Sequence, residues 1–266
     1  MQRSFLKWPG GKQRSLNQLL SIFPKCSGSY YEPFLGGGSV CFNIKSDRKV
    51  LSDVESSLID TYRKVQNSLS DVVRELDSFD NDESSYYVIR DQFNNRINNF
   101  SYSDAARFIY LNKCGFNGLY RVNGRGEFNV PFGKRSGDPH KDFDNLRICS
   151  RLLQFVELRS GSYVSCMADV DAGDFVYLDP PYMKKSETSF IAYNKDQFGT
   201  SDNKQLSEFC RDLDANGVLF AVSNNDIPLI REWYDGFHVH EVQAVRSISR
   251  AGSSRGRYSE LLITNY

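Results

Sequence analysis

Apolar and polar positions alternate along the chain with two different periods, which predict strands near both ends and helices in the middle. Between residues 13 and 23, leucines recur at helical spacing, and Pro24 closes that predicted helix. The segments SYYEPF and KVLSD have the short apolar character of strands, and a glycine turn and a short helix from about Ser39 separate them. Strand, helix and strand in this order are typical of a parallel sheet in an α/β protein.

The middle of the chain departs from this pattern. Apolar positions recur there at helical spacing, as in SSLIDTYRKVQNSL, VVRELDSF, SYYVIRDQFNNRI and SDAARFIYLNK, and no clear strand is predicted. The last part of this region, from Cys114 to Lys141, is a predicted loop rich in glycine, asparagine and arginine.

Strands return toward the C-terminus. The runs that suit strands are LQFVEL, DFVYLD, GVLFAVSN, FHVHEVQAV and SELLITNY. Helices are predicted near 201–215 and 226–234. We therefore predict one α/β domain, formed by residues 1–54 and 145–266, that is interrupted by a helical domain at 55–144.

Composition excludes several classes of protein. The chain has 33 basic and 33 acidic residues and a net charge of zero, so a polyanionic partner could be met only by local basic patches. It has no long apolar run, and neither a membrane span nor a secretory signal is predicted. Six scattered cysteines without a C-x-x-C pair are typical of free thiols, and we expect a cytoplasmic protein.

Two glycine-containing segments suggest a ligand site. The glycines at 36–38, in EPFLGGGS, would let the backbone approach a ligand closely, although a tight turn without a ligand would have the same composition. A dinucleotide fingerprint would need glycine where Cys41 stands, so a nicotinamide or flavin site is disfavoured. Glu32 before the turn and Asp53 after the next strand suit a neutral or cationic nucleoside, and Asp53 is placed to hold ribose hydroxyls.

The segment KWPGGK lacks the residues of a phosphate loop, since Leu6 stands where glycine is needed and Gln13 replaces Ser or Thr. Trp8 could instead form a stacking wall and Lys12 a donor, although Trp8 could equally be a core aromatic residue.

The run GDFVYLDPPY ends an apolar strand in a way that suits a planar amine. Proline has no N–H, so the ladder of the sheet must stop at Asp179. Asp179 and the Pro180 carbonyl could each accept one N–H of an exocyclic NH2 group, and Tyr182 could stack on the base, a contact worth about 1–3 kcal/mol. The nucleophile would then be the nitrogen of the substrate.

Two further segments are locally basic. The stretch from Lys113 to Arg135 contains several basic residues and a single acidic one, Glu127, although a solvated surface would have the same composition. The segment RSISRAGSSRGR at 246–257 has four arginines and no acid, which suits either phosphate contacts or a plain surface turn. His238 and His240 share one face of a predicted strand, but no third ligand is evident, so no metal site is predicted.

These motifs together resemble one family. FLKWPGGK, EPFLGGGSV, IYLNKCGFNGLYRVNGRGEFNVPFG, DFVYLDPPY and the segment from REWY to RSIS occur in the order found in the Dam family of DNA adenine N6-methyltransferases. The resemblance implies a Rossmann-like S-adenosylmethionine-dependent fold with an inserted helical DNA-recognition domain. It implies methyl transfer to adenine N6, in the sequence GATC and by base flipping. It also implies duplex DNA as the partner of a monomeric enzyme that is associated with the nucleoid and has no obligate protein partner.

The resemblance also assigns roles to individual residues. The implied catalytic residues are Asp179, Pro180 and Tyr182. The implied cofactor-binding residues are Trp8, Lys12, Glu32, Phe34, Gly36, Gly38, Asp53, Ser162, Tyr163 and Asp179. The implied DNA-binding residues are Lys7, Lys113, Phe116, Asn117, Leu119, Arg121, Arg125, Arg246 and Arg250. Phe116 stands where the related sequences have tyrosine, so a hydroxyl contact would be lost there.

Alternatives remain open on the sequence alone. The substrate of the amino-methyltransferase could be cytosine N4, RNA or a protein glutamine, and the chain could be a DNA-binding regulator that has lost catalysis. Whether the enzyme has a partner nuclease, or is a solitary housekeeping or phage enzyme, is not indicated.

Overall fold

The computed structural model describes residues 1–25, 27–96, 99–183, 198–245 and 257–266. Short 3-10 helices lie at Lys12–Arg14 and Phe116–Gly118. The α-helices are α1 (Leu16–Ile22), α2 (Ser56–Asn67), α3 (Leu69–Asp77), α4 (Glu83–Asn94), α5 (Tyr102–Cys114), α6 (Phe143–Leu153), α7 (Tyr163–Cys166), α8 (Thr200–Ala215) and α9 (Pro228–Trp233). Among the described residues, no helix combines the length and the apolar character that crossing a membrane requires.

The strands form one seven-stranded sheet in the order β3-β2-β1-β4-β5-β7-β6. They are β1 (Tyr30–Glu32), β2 (Lys49–Asp53), β3 (Val156–Ser160), β4 (Phe175–Leu178), β5 (Leu219–Asn225), β6 (His238–Val245) and β7 (Arg257–Thr264). The fold is therefore mixed α/β, as the sequence predicts.

The chain divides into two compact units. Unit 1 comprises residues 1–13, 35–44 and 51–163, and unit 2 comprises residues 14–34, 45–50 and 164–266. The division by function, into a catalytic domain of residues 1–54 and 145–266 and a DNA-recognition domain of residues 55–144, stays a prediction.

Unit 2 is built on strands whose carboxyl ends share one edge. β1 and β5 both pair with β4 in parallel, whereas β7 pairs with β5 in the antiparallel direction. The four residues of β4 are completely buried, as expected for a central parallel strand. The ring of Phe175 packs against Phe23, Tyr30 and Tyr266, with ring centroids 5.0–6.2 Å away. Ligands of such sheets bind beyond the carboxyl ends of the parallel strands.

Unit 1 contains the helices that the middle of the sequence predicts. Asp82 caps α4 by accepting a hydrogen bond from the Ser85 backbone N–H at 2.9 Å. Ser101 and Asp104 form a capping box at the start of α5, which satisfies two backbone donors at once. α5 packs against α2, α3 and α4, and the buried ring of Tyr110 on α5 lies against Tyr86 of α4, with ring centroids 6.0 Å apart.

Two element predictions are wrong. Residues 39–44 form a single turn rather than a short helix, because the Asn43 side chain donates to the carbonyl oxygens of Ser39 and Gln2 and so competes with helix continuation. The strand predicted over LQFVEL begins only at Val156, because Leu153 still belongs to α6, a helix that the sequence analysis does not predict.

Candidate active site and nucleic-acid interface

The end of β4 in unit 2 presents a carboxylate at the sheet edge. Leu178 is fully buried, Asp179 is partly exposed, and Pro180 is buried again. Tyr182 is also partly exposed, and its hydroxyl donates to Glu260 Oε2 at 3.1 Å. The corner therefore combines a carboxylate, a main-chain carbonyl and a ring whose far end is held by an acid on β7.

Glu32 lies at the carboxyl end of β1 in the same unit. It is buried, and its Oε2 accepts a hydrogen bond from the Tyr30 hydroxyl at 2.7 Å. Two residues later, the partly exposed ring of Phe34 meets Phe198 edge-on at 5.6 Å between centroids. Two of the sequence-predicted cofactor residues thus lie at the edge of the sheet where Asp179 follows β4.

Two tyrosines at this edge stay protonated at neutral pH. Burial raises the pKa of both the Tyr177 and the Tyr182 hydroxyl well above the usual value, and the negative charge of Asp179 raises it further. Tyr177 is hydrogen-bonded to the Ser223 hydroxyl at 2.8 Å. Both hydroxyls therefore act as hydrogen-bond partners rather than as bases.

The glycine turn in unit 1 packs closely against a tryptophan. Gly36 has a φ of +48°, and a Cβ at this position would come within 2.6 Å of Trp8 Cδ1. The Gly36 N–H donates to Asp53 Oδ2 at 2.9 Å. Gly38 has a φ of +69°, and a Cβ there would meet the Tyr62 hydroxyl at 2.6 Å. Both positions therefore require glycine.

Asp53 is held by backbone donors and partly desolvated. Its Oδ1 accepts a hydrogen bond from the Glu55 N–H at 3.0 Å. Burial raises the pKa of the Asp53 carboxyl above its ordinary value, while the N–H groups of Gly36 and Glu55 oppose that rise. The Asp53 carbonyl accepts the Gly161 N–H at 3.1 Å, which brings the start of the Ser162–Tyr163 segment next to Asp53.

Trp8 and Lys12 have structural contacts of their own in unit 1. The Trp8 ring stacks on Tyr120 at 5.1 Å between centroids and at an angle of 19°. Lys12 is buried, and its Nζ donates to the Gly10 carbonyl at 2.9 Å. The structure thus groups Trp8, Gly36 and Asp53 in unit 1, through the contacts of the glycine turn.

The segment 115–133 of unit 1 forms a hairpin-like loop, which we call the recognition loop. The Gly133 N–H donates to the Cys114 carbonyl and the Phe116 N–H to the Pro131 carbonyl, both at 2.8 Å. Phe116 lies at its start with 50 % of its surface exposed, and Asn117 follows with a φ of +57°. Asparagine is one of the few residues that adopt this left-handed conformation readily, and the half-exposed Phe116 ring beside it is available for contact with a partner.

Lys7 and Lys113 flank the start of the recognition loop. The backbone of Lys7 is hydrogen-bonded in both directions to the buried side chain of Asn112, at 2.8 and 2.7 Å. The side chain of Lys7 packs so closely on Gly118 that a Cβ there would lie 2.6 Å from Lys7 Cδ. Burial lowers the pKa of Lys113 below its ordinary value.

The arginines of the recognition loop differ in their contacts. Arg121 is exposed, and it donates from Nε to Asn129 Oδ1 at 2.6 Å and from Nη2 to the Asn129 carbonyl at 3.1 Å. Arg125 is exposed at the tip. The acid of the loop, Glu127, accepts a hydrogen bond from Asn123 Nδ2 at 2.7 Å. The structure therefore places Lys7, Lys113, Phe116, Asn117, Leu119, Arg121 and Arg125 on or next to one loop.

Two predicted DNA-binding residues, Arg246 and Arg250, lie outside the described residues. Of the six cysteines, Cys41, Cys114, Cys149, Cys166 and Cys210 are buried and form no disulfide bond among the described residues, whereas Cys26 lies outside the described part.

Comparison with known proteins identifies the family. The family described as D12 class N6 adenine-specific DNA methyltransferase matches residues 8–248. The chain belongs to this family. It is 38% identical over 287 residues to the type II methyltransferase M.MjaIII of Methanocaldococcus jannaschii, covering 99% of both chains. It is 34% identical over 271 residues to the type II methyltransferase M1.LlaDCHI of Lactococcus lactis subsp. cremoris, covering 99% of this chain and 95% of the relative.

A DNA adenine methylase of Escherichia coli strain K12 is 37% identical to the chain over 265 residues, covering 98% of this chain and 94% of the relative. The predicted resemblance to the Dam family is therefore confirmed, and so is the activity of an adenine-specific DNA methyltransferase. This membership favours adenine in DNA over the cytosine, RNA and protein-glutamine alternatives, and catalysis over a silent regulator.

Two residues that contact the segment after β4 of this methyltransferase, Glu260 and Asn225, are not predicted from the sequence. Glu260 is a single acid in the apolar run SELLIT, and Asn225 ends the run LFAVSNN. A buried-strand acid in the middle of β7 and an amide at the end of β5 are the only signals that the sequence gives for these two residues.

Proposed function

We propose that the chain methylates N6 of adenine in duplex DNA, in the sequence GATC, with S-adenosylmethionine as the methyl donor. Residues 1–54 and 145–266 would carry catalysis, and residues 55–144 would select the target. The observation that carries the proposal is the end of β4, where a completely buried strand gives way to a partly exposed Asp179. We further propose that the enzyme acts as a monomer.

The residues of the glycine turn fit a nucleoside cofactor. Gly36 and Gly38 leave no room for a Cβ and keep the backbone open to close approach. Asp53 offers a carboxylate that could accept both ribose hydroxyls, Ser162 and Tyr163 would line the adenine ring, and Trp8 would form a wall beside Lys12. The resemblance to the family also assigns Glu32 and Phe34 a cofactor-binding role. S-adenosylmethionine supplies an activated methyl group when it is bound.

The residues after β4 would aim the substrate nitrogen. The target adenine would be flipped out of the duplex, at a cost of a few kcal/mol. Asp179 and the Pro180 carbonyl would each accept one N–H of its amine, which directs the nitrogen lone pair, while Tyr182 would stack on the ring. Positioning of this kind can supply a large part of the rate, and no nucleophilic side chain is needed.

The recognition loop would read the sequence. An arginine can donate to O6 and N7 of one guanine, and such a pair is worth about 1–3 kcal/mol of discrimination. Arg121 would read a guanine of GATC, Leu119 would touch a neighbouring base, and Phe116 with Asn117 would occupy the space that the flipped adenine leaves. Lys7 would contact the outermost guanine. Lys113, Arg125, Arg246 and Arg250 would contact the phosphates, which would make binding dependent on salt.

A methylation assay tests the proposal. The purified enzyme is incubated with S-adenosylmethionine and a GATC-containing plasmid, which is then challenged with an endonuclease that cuts only methylated GATC. Asp179→Ala should abolish cutting without loss of fold. Asp212→Ala is the control, and plasmid treated with it should be cut as after the wild type, because Asp212 is an exposed acid on α8. Turnover retained by Asp179→Ala would refute the catalytic role, and methyl groups found outside GATC would refute the specificity.

A further inference from the structure

Tyr182 is held from two sides, by residues that lie opposite each other on β5 and β7. Its hydroxyl donates to Oε2 of Glu260, a residue of β7 that is only 5% exposed. The next residue of the chain, Met183, offers its carbonyl oxygen to Asn225 Nδ2 at 2.8 Å. Asn225 and Glu260 are direct partners in the antiparallel register of the two strands. One cross-strand pair therefore holds both the ring and the main chain of the Tyr182 segment.

The asparagine side of this arrangement belongs to a longer set of buried amides. The Asn225 N–H donates to Asn224 Oδ1 at 2.9 Å, and Asn224 Nδ2 donates to Asn203 Oδ1 at 3.1 Å. Asn203 Nδ2 in turn donates to the Gly199 carbonyl at 2.9 Å. Asn224 and Asn203 are completely buried. These hydrogen bonds hold the backbone of Asn225 and the side chain of Asn224, so the Asn225 side chain reaches the Met183 carbonyl from a fixed point of the main chain.

Stability alone gives little reason for these polar groups. Burying a carboxylate or an amide costs free energy, which hydrogen bonds recover only in part. An apolar side chain at position 260 would fill the same strand without that cost, as Leu261 and Leu262 do beside it. In addition, the Asn225 Oδ1 atom is buried and accepts no hydrogen bond within the described residues.

We propose that Glu260 and Asn225 are positioning residues that hold the ring of Tyr182 in place before the target base arrives; this rests on the stacking role proposed above for Tyr182. A tyrosine side chain whose hydroxyl has no partner can change its χ1 rotamer and so move its ring, and each side chain that is immobilised when a ligand binds costs entropy. With its hydroxyl on Glu260 and its neighbouring carbonyl on Asn225, Tyr182 has lost that freedom already. Tyr182 stays protonated and therefore remains a donor to Glu260, since burial raises its pKa.

A double-mutant cycle on the full-length enzyme tests the Glu260 contact. Single-turnover methylation of a GATC duplex is measured for Glu260→Ala, Tyr182→Phe and the double variant. Each single variant should be slower by roughly tenfold, the effect of one hydrogen bond to a charged group. The double variant should be no slower than the slower single variant, because both remove the same contact. Losses that multiply in the double variant would overturn the proposal.

Conservative and control variants keep the test independent of folding. Glu260→Gln retains a carbonyl that accepts from Tyr182, so it should keep most of the rate, and a loss equal to that of Glu260→Ala would count against positioning. Glu241→Ala removes an exposed acid on the neighbouring strand and should leave the rate unchanged. Asn225→Ala should lower kcat while leaving the KM for S-adenosylmethionine unchanged, and a change confined to KM would contradict its assignment.

Two further measurements separate this proposal from the function on which it rests. In a duplex with 2-aminopurine in place of the target adenine, stacking on Tyr182 should quench the fluorescence of the flipped base in the wild-type complex. The fluorescence should be brighter in the complex with Glu260→Ala. Equal fluorescence in the two complexes would overturn the positioning role. Tyr182→Ala should be slower than any Glu260 variant. If Tyr182→Ala keeps full turnover, the proposed stacking role itself fails; if it is slow but the cycle is multiplicative, only the positioning fails.

Discussion

Replacement of Gly36 by alanine should destabilise the glycine turn in two separable ways. A non-glycine residue with a φ near the observed +48° costs about 1–2 kcal/mol. The new Cβ would also lie 2.6 Å from Trp8 Cδ1, where carbon atoms normally stay about 3.5–4.0 Å apart. Trp8 would have to move by about 1 Å, which disturbs its stacking on Tyr120, worth about 0.5–1.5 kcal/mol. We therefore expect a loss of about 1.5–3.5 kcal/mol in the free energy of unfolding.

Gly126 provides the matched control for this experiment. Its φ is +77°, and a Cβ added there would have no atom within 4 Å. Gly126→Ala should therefore show the backbone cost alone, about 1–2 kcal/mol. Urea denaturation followed by circular dichroism gives both values, and their difference measures the contact with Trp8.

The same pair of variants also tests the cofactor assignment. Calorimetry with S-adenosylmethionine should show weaker binding for Gly36→Ala, because Trp8 moves and the Gly36 N–H no longer faces Asp53 in the same way, and unchanged binding for Gly126→Ala. Equal unfolding losses in the two variants would refute the close packing on Trp8. Unchanged affinity in Gly36→Ala would refute the place of Trp8 in the cofactor site.

Three further predictions concern unit 1. Arg121→Ala should lose about 1–3 kcal/mol of discrimination against altered sites, whereas Arg125→Ala should weaken binding to all duplexes and reduce the salt dependence of that binding. Binding titrations on GATC and on single-base variants of it measure both effects. An equal loss of discrimination in the two variants would contradict the prediction. Burial lowers the pKa of His140 below 6.5, so its contribution to stability is complete above about pH 6.5 and is lost as the pH falls below that value. The Tm should therefore fall more in the wild type than in His140→Gln between pH 7.5 and pH 5.5, a window of about one pH unit on each side of 6.5. Parallel curves of Tm against pH for the two proteins would refute this prediction. Burial raises the pKa of Cys114 to about 12, so a thiol reagent at pH 8, below even the usual thiol pKa of about 8.5, should modify it only after unfolding, as mass spectrometry would show.

Elements with a clear period could be predicted from the sequence, and elements shaped by distant side chains could not. The strand KVLSD has the bounds that its apolar run indicates, and the helices α2–α5 follow from the spacing of their buried residues. The turn at 39–44 could not be predicted, because it depends on a bond between Asn43 and the carbonyl of Gln2, 41 residues earlier. α6 is not predicted because it follows directly on a loop of polar and glycine residues.

The candidate site shows the same limit. Its motif residues could be found because each motif is a short continuous string, such as DPPY or the glycine turn. Glu260 could not be found, because it is 78 residues from Tyr182 along the chain and meets it only through the register of β7 on β5. Asn225 is likewise assigned only by the carbonyl of Met183, which lies 42 residues earlier. A residue that acts through another residue leaves no local pattern.

The distribution of charge suits a protein that must bind both a polyanion and a base. The chain is neutral overall, but unit 2 brings three carboxylates close to the Tyr177 hydroxyl. Besides burial, the negative charges of Asp179, Glu32 and Glu260 all raise the pKa of that hydroxyl. Hydroxyl donors satisfy oxygen atoms of Glu32 and Glu260 without cancelling their charge, so this edge of the sheet suits N–H donors and cations and repels phosphate. The exposed arginines of the recognition loop belong to unit 1 instead. We therefore expect that variants of the proposed phosphate contacts lower affinity for duplex DNA in binding titrations, and that they leave the proposed acceptance of the amine by Asp179 intact.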